Sequence, residues 1–251
     1  MSSPSPFFSI IIPAHNEENG IAATCEAITG CFAREGISDY EICVVNDNSR
    51  DHTAEVLQEL SARIPYVRYV NNVPPNGFGF AVRKGLEVFA GQCACIVMGD
   101  LSDAPEDILA YYRAMKNGAE CVFGSRFIQG SRVIDYPRYK LWLNRLANGF
   151  IKVLFRLGHN DITNAFKCYR RDVIEGIQPL LSPHFNLTVE MPLKAIVRGF
   201  TYQTIPISWT NRQSGESKLK IKEMGSRYLF IVLYVWLERR LSRGDYRRKE
   251  A

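Results

Sequence analysis

The sequence lacks what would carry it across a bilayer or staple it together. Its longest uninterrupted apolar run is Leu229–Leu237. Nine helical residues reach about 14 Å, half of a hydrocarbon core, which excludes a transmembrane span but not a helix lying on a membrane. Met1–Pro6 is polar and carries no basic leader, so no signal peptide is expected. The seven cysteines (Cys25, Cys31, Cys43, Cys93, Cys95, Cys121, Cys168) are odd in number, include no CxxC pair and lie partly within apolar runs. They read as buried, reduced thiols in a reducing compartment. The four histidines, His15, His52, His159 and His184, show no metal-ligand spacing, and His159 reads as a turn residue. No serine triad, nucleophile elbow, Walker lysine or G-x-G-x-x-G spacing is present. Net charge is small, +5. Residues 238–251 hold +3 of it, six basic side chains (Arg239, Arg240, Arg243, Arg247, Arg248, Lys249) against three acidic ones. The rest is near neutral, so no nucleic-acid partner is expected.

What remains is an ordinary globular chain of 251 residues, 46% hydrophobic and 23% charged. That suits one large domain, or one domain with an appendage. Apolar runs at 7–12, 40–45, 67–70, 93–98 and 120–123 read as strands. Helical spacing lies between them at 17–32, 51–64, 76–89 and 105–116, the last with Pro105 in its first turn. Strict alternation predicts an α/β fold, a mostly parallel sheet with helices on both faces. Ligands of such sheets bind outside the carboxyl ends of the strands, which directs attention to the loops 13–18, 46–51 and 99–103. The second half is less regular: a helix over 139–157, a strand over 162–169, a helix over 186–198, a strand over 201–207 and a long helix over 218–242.

Four polar segments follow strands or precede helices. Asn46–Thr53 places Asp47 at a strand end, where it either meets a base or ribose or belongs to a capping turn. Met98–Asp103 holds two carboxylates, Asp100 and Asp103, that either bind a hard divalent cation or cap the next helix. Gly124-Ser125-Arg126-Phe127, with Arg138, Lys140 and Arg145 downstream, offers guanidinium groups for a second, anionic substrate; Arg138 and Lys140 read by default as solvated surface. Asn211–Lys218 is either a plain loop or a lid.

Taken in register, these segments resemble the family 2 glycosyltransferases of the GT-A (nucleotide-diphospho-sugar transferase) fold, Rossmann-like in architecture. Within that family the resemblance is to the polyprenyl-phosphate glycosyltransferases. It runs from about Phe8 to about Met224. It is carried by Ile10–Glu18 (P-x-x-N-E), Val44–Thr53 (V-V-D-D-G-S-x-D-G-T), Asn76–Ala81 (G-x-G-x-A), Gly124–Phe127 (G-S-R-[YF]), Asp161–Arg171 (D-x-T-S-G-F-R-x-[YF]-R-R) and Arg212–Lys218 (R-x-x-G-x-S-K). Asp100 matches the last Asp of the family's D-x-D, whose first Asp is missing here, and Asp103 is expected to supply a second ligand. Asn46 replaces the first Asp of the D-D pair, Lys167 the usual Arg, and Asn164-Ala165 the usual Ser-Gly.

The resemblance implies an inverting transferase that moves a hexose, mannose from GDP-mannose being the first expectation, to a polyprenyl phosphate. Pro13, Ala14, Asn16, Glu17, Asp47, Gly79 and Asp100 would bind the donor nucleotide. Asp100 and Asp103 would hold Mg²⁺ or Mn²⁺. Arg126 and Arg145 would grip the acceptor phosphate, and Arg126, Arg212 and Lys218 would join Asp100 in catalysis. No Q-x-x-R-W element is present, and a phosphate acceptor needs no general base because it is already ionised. Residues 1–224 would form the catalytic domain. Residues 225–251 would form an amphipathic helix and basic tail that contacts the cytoplasmic face of a membrane peripherally. Two alternatives stand beside this: a soluble or saccharide acceptor, and a nucleotide-sugar-binding protein without catalysis.

Overall fold

The computed structural model describes residues 5–211 and 221–248. Strands β1 (Phe8–Ala14), β2 (Tyr40–Asn46) and β4 (Cys93–Ile96) are buried along almost their whole length. With no polar face for solvent, they must lie in a sheet covered on both sides. β3 (Val67–Asn71) is half-buried beside β2. Helices α1 (Ile21–Arg34), α2 (Thr53–Arg63), α3 (Phe78–Val88) and α4 (Pro105–Lys116) make the crossovers. The bounds of α4 are those its sequence predicts. Pro105 presets the first turn, Glu106 and Asp107 face the positive end of the helix dipole, and Arg113 and Lys116 face the negative end.

The second half contributes β5 (Cys121–Ser125), β6 (Arg132–Ile134), α5 (Arg138–Phe155), β7 (Lys167–Arg170), α6 (Arg171–Gly176), α7 (Leu187–Val197), β8 (Gln203–Pro206), β9 (Ser208–Thr210) and α8 (Ile221–Leu241). Seven strands form one sheet in the order β3-β2-β1-β4-β7-β5-β8. All pairs are parallel except those of β7, which runs antiparallel to β4 and β5. A separate parallel pair joins β6 to β9.

Two expectations are corrected. The strand expected over 162–169 begins only at Lys167, because the carbonyls of Ile162 and Asn164 turn inward to accept hydrogen bonds from the Lys167 ammonium. The β6–β9 pair and α6 were not expected. Three-residue strands and a six-residue helix carry no periodicity, and only their long-range partners define them.

The cysteines are buried free thiols, as expected. One apolar cluster lies between the sheet and α1, α2 and α4, and a second lies under α3, α6 and α7. A third unites Ile151 and Phe155 of α5, Val189 and Leu193 of α7, and Ile231, Val232 and Val235 of α8. Helix α7 is therefore buried on two sides, and α8 packs onto the body. Arg198 fastens α8 from below: its guanidinium donates to both carboxylate oxygens of Glu238, at 2.9 and 3.0 Å. Among the described residues no helix is long and apolar enough to cross a membrane.

Candidate active site

The loops after β1 and β2 are zipped together at the carboxyl rim. The Asn16 N–H donates to Ser49 Oγ (3.0 Å), and Asn16 Oδ1 accepts from the Arg50 N–H (2.8 Å). The Glu17 N–H donates to Thr53 Oγ1 (2.9 Å), and the Glu18 N–H to Asp51 Oδ2 (3.2 Å). Asp51 also accepts the Thr53 N–H. Burial pushes its carboxyl up, but these hydrogen bonds outweigh it and hold the group below the usual range. Pro13 and Ala14 end β1 beside Asp47, whose N–H donates to the Ala14 carbonyl at 2.8 Å. The Asp47 carboxylate is buried and accepts from Asn72 Nδ2 (2.8 Å) and from the Gly77 N–H (2.9 Å).

Asp47 therefore positions the glycine-rich start of α3. Gly77 adopts φ +148°, which side chains avoid, and a Cβ there would meet His184 and the Pro183 carbonyl at 2.6 Å. Gly79, expected to face the donor, gives its free space to the protein instead. A Cβ there would lie 2.3 Å from the Ser182 carbonyl oxygen, and its N–H donates to the Pro183 carbonyl.

The acidic turn follows β4. Asp100 Oδ1 accepts from the Ser102 N–H (3.1 Å), and Asp103 Oδ2 accepts from the Met98 N–H (3.0 Å), which curls the turn back on itself. An isolated bridge ties Asp103 to Trp209 of β9, so the small sheet braces the acidic turn. Asp103 is buried. Burial, with the Asp100 charge beside it and against the Met98 N–H, pushes its carboxyl up to about 7. Among the described residues, no three acid, cysteine or histidine groups gather into a metal cluster. Asp100 and Asp103 nonetheless offer hard oxygen donors from one turn. That fits a divalent cation whose other ligands are diphosphate oxygens and water.

Arg126 directly follows β5 and is 8% exposed. Its Nε and Nη2 fork onto Asp161 at 2.8 Å each, and its N–H donates to the same carboxylate at 3.0 Å. The rings of Phe127, Tyr136 and Trp209 lie 5.4–5.8 Å from its guanidinium. Arg126 was expected as a cation for the acceptor phosphate, and most of its charge is answered within the protein. Arg145 stacks on Phe127 at 4.5 Å and is not part of the cavity wall described next. Arg212 and Lys218 lie outside the described residues.

A cavity of about 460 Å³ opens beside this turn. Its polar end is formed by Asp100, Asp103, Arg126, Lys140, Asn144 and Thr163. Leu143, Ala147, Phe150 and Ile151 from α5, and Leu229 and Val232 from α8, give it an apolar side, and Ser102, Asn164, Thr188 and Asn211 add further polar groups to the lining. Lys140, read from sequence as solvated surface, lines the site. Asn144 and Asn148, one helical turn apart, both donate to Thr163 Oγ1 (2.8 and 2.9 Å) and fix the loop after Asp161 against α5. Neither asparagine was anticipated; their spacing of four on one helix face was the available signal. Outside the cavity the apolar surface continues, with Trp142 66%, Val153 79% and Leu241 71% exposed.

A mostly parallel, seven-stranded sheet with an acidic turn at the end of an inner strand and a cleft beside it defines a glycosyltransferase of GT-A fold. The chain belongs to glycosyl transferase family 2, whose model matches residues 9–177. It is 31% identical over 217 residues to the dolichol-phosphate mannosyltransferase of Pyrococcus furiosus, covering 85% of this chain and 59% of that protein. It is 29% identical over 216 residues to the polyprenol monophosphomannose synthase of Mycolicibacterium smegmatis, covering 84% and 80%. The chain thus spans less than two thirds of the first relative's length. Among solved structures, glucosyl-3-phosphoglycerate synthase from Mycobacterium tuberculosis in complex with Mn²⁺, UDP and glucosyl-3-phosphoglycerate superimposes with a TM-score of 0.66. The identity is 16%, over 93% of this chain and 80% of that one. At that identity the likeness establishes the fold.

Proposed function

We propose that this chain transfers mannose from a nucleoside diphosphate sugar to a polyprenyl phosphate at a membrane surface, with inversion at the anomeric carbon. The cavity supports this by its two-sided make-up: carboxylates and cations at one end, an apolar groove between α5 and α8 at the other. An amphiphilic acceptor with one phosphate and a hydrocarbon chain matches both ends. The two relatives are named for mannosyl transfer to dolichol phosphate or polyprenol.

Asp100 and Asp103 would hold Mg²⁺ or Mn²⁺, which when bound stabilises the charge on the leaving nucleoside diphosphate. Asp47 holds the start of α3 in place and shapes the nucleoside side of the cleft. Among the described residues Lys140 is the cavity cation nearest to free for an acceptor phosphate, and Arg126, clamped by Asp161, supplies a rigid positive edge. No base is required, since a phosphate monoester is largely dianionic at neutral pH (second pKa about 6). The exposed apolar residues of α5 and α8 border the cavity mouth, so both helices would rest on the bilayer that holds the acceptor.

The test is incubation with Mn²⁺ and a panel of nucleotide sugars, with and without a polyprenyl phosphate. Lipid-linked mannose from GDP-mannose is expected, and it should be lost in Asp100→Ala. Product only with saccharide acceptors, or donor binding without product, would overturn the proposal.

A further inference from the structure

Past the cavity, α5 and α8 pack on each other through Phe155 and Val235. About one turn beyond the cavity on α5 and two turns beyond it on α8, a second hollow of about 200 Å³ is lined by Leu154, Arg156, Arg239, Arg240 and Arg247. Among the described residues no carboxylate lines it. An adjoining hollow of about 280 Å³ shares Arg239 and Arg247 and adds Arg243. Among the described residues the one carboxylate in its wall, Glu238, is already forked by Arg198.

Part of this charge has a structural account. Arg239 Nη1 donates to the Phe155 carbonyl at 2.7 Å and so caps the end of α5. The carboxyl ends of α5 and α8 each contribute about half a negative charge. Five guanidinium groups against about one negative charge still leave a large excess. All five are exposed, so water and salt screen their mutual repulsion, and together they present a concentrated positive field to an anion that reaches them.

A second observation points the same way. Arg156 closes α5 at φ +54°, and Arg243 follows α8 at φ +53°. The residue after a helix in this left-handed conformation is usually glycine, which adopts it without strain. Arginine at both positions accepts that strain and turns two guanidinium groups toward the same pair of hollows.

We infer that Arg156, Arg240 and Arg247, with Arg239 behind them, form a phosphate-binding cradle that takes the headgroup of an anionic phospholipid, separate from the acceptor site. The lipid source follows from the neighbouring surface, since Val153, Leu237 and Leu241 are exposed beside the cradle. A molecule lying on a bilayer through those side chains holds the arginines at headgroup depth. Guanidinium groups match phosphate oxygens in paired hydrogen bonds, which a single ammonium does not. The lipid assignment rests on the membrane contact proposed above; the cluster of arginines does not.

The test is co-sedimentation of the full chain with vesicles of phosphatidylcholine alone and of phosphatidylcholine containing phosphatidic acid. The wild type is compared with Arg156→Gln/Arg240→Gln/Arg247→Gln and with a control of equal charge change on the far side of the sheet, Arg34→Gln/Arg63→Gln/Arg113→Gln. At about 1 kcal/mol per basic side chain at an anionic surface, the cradle variant should lose on the order of 100-fold in partitioning to phosphatidic acid vesicles. The control should lose little, and residual binding to neutral vesicles should persist in both. Equal losses in cradle and control variants, or none in the cradle variant, would overturn the cradle while leaving the membrane contact standing. No binding of the wild type to any vesicle would overturn the membrane contact and the lipid source together. Inorganic phosphate held at these arginines by a protein that ignores vesicles would overturn the lipid source alone.

Discussion

Lys167 and Pro192 meet at one carbonyl. Pro192 lies inside α7 and has no N–H, so the Thr188 carbonyl, four residues earlier, loses its helical donor. Lys167, fully buried on β7, donates to that oxygen at 3.3 Å and also to the carbonyls of Ile162 and Asn164. The loop that carries Thr163 and Asn164 to the cavity is thereby knotted to α7. Burial pulls the ammonium down to about 7, with Asp161 opposing and Arg126 assisting.

Replacing Lys167 by Met should leave three inward-facing carbonyls without their donor and cost about 2–4 kcal/mol of stability. Pro192→Ala in the same background restores an N–H to Thr188 and should recover about 1 kcal/mol. Urea unfolding of the single and double variants reads the coupling, and strictly additive effects would separate the two residues.

The Arg126–Asp161 fork is buried at both ends, 7% and 0% exposed in the side chains. Asp161→Asn keeps the shape and removes the countercharge. Breaking such a pair costs about 3–5 kcal/mol. The expected result is a large drop in the unfolding midpoint at neutral pH; a shift under about 1 kcal/mol would show that the aromatic rings, not the carboxylate, hold the guanidinium.

His159 is 1% exposed; its Nδ1 lies 3.1 Å from Thr204 Oγ1, and its Nε2 has no hydrogen-bond partner among the described residues. Burial, then the nearby Lys167 charge, lowers its pKa from 6.5 to about 4. The folded state disfavours the imidazolium, so this stability is whole above pH 6.5 and is lost as pH falls toward 4, by about 3 kcal/mol in all. Asp103, whose carboxyl is pushed up to about 7, gains stability with acid over the same window, so the His159 effect is read by difference: the wild type should lose stability relative to His159→Gln as pH falls from 6.5 toward 4.

Gly79→Ala forces a Cβ against the Ser182 carbonyl oxygen and should cost about 1–3 kcal/mol. Gly149→Ala, in α5 with nothing within 4 Å, should instead gain about 0.5–1 kcal/mol. Paired thermal unfolding of the two variants checks both signs.

Local pattern settled much of this protein. The apolar runs of the first half, Pro105 at the start of α4, and the polar turns after β1, β2 and β4 were legible because period and capping are decided within a few residues. The motif register pointed to the family for the same reason. Only the tertiary structure decided which charged groups face a substrate. Arg126 is answered by Asp161, thirty-five positions away. Lys140 turns into the cavity while Arg145 lies over Phe127. Gly79 is needed for a backbone a hundred residues on, and β6 exists only beside β9. A side chain's charge and availability depend on what stands within a few ångströms, and in this chain those neighbours come from distant segments.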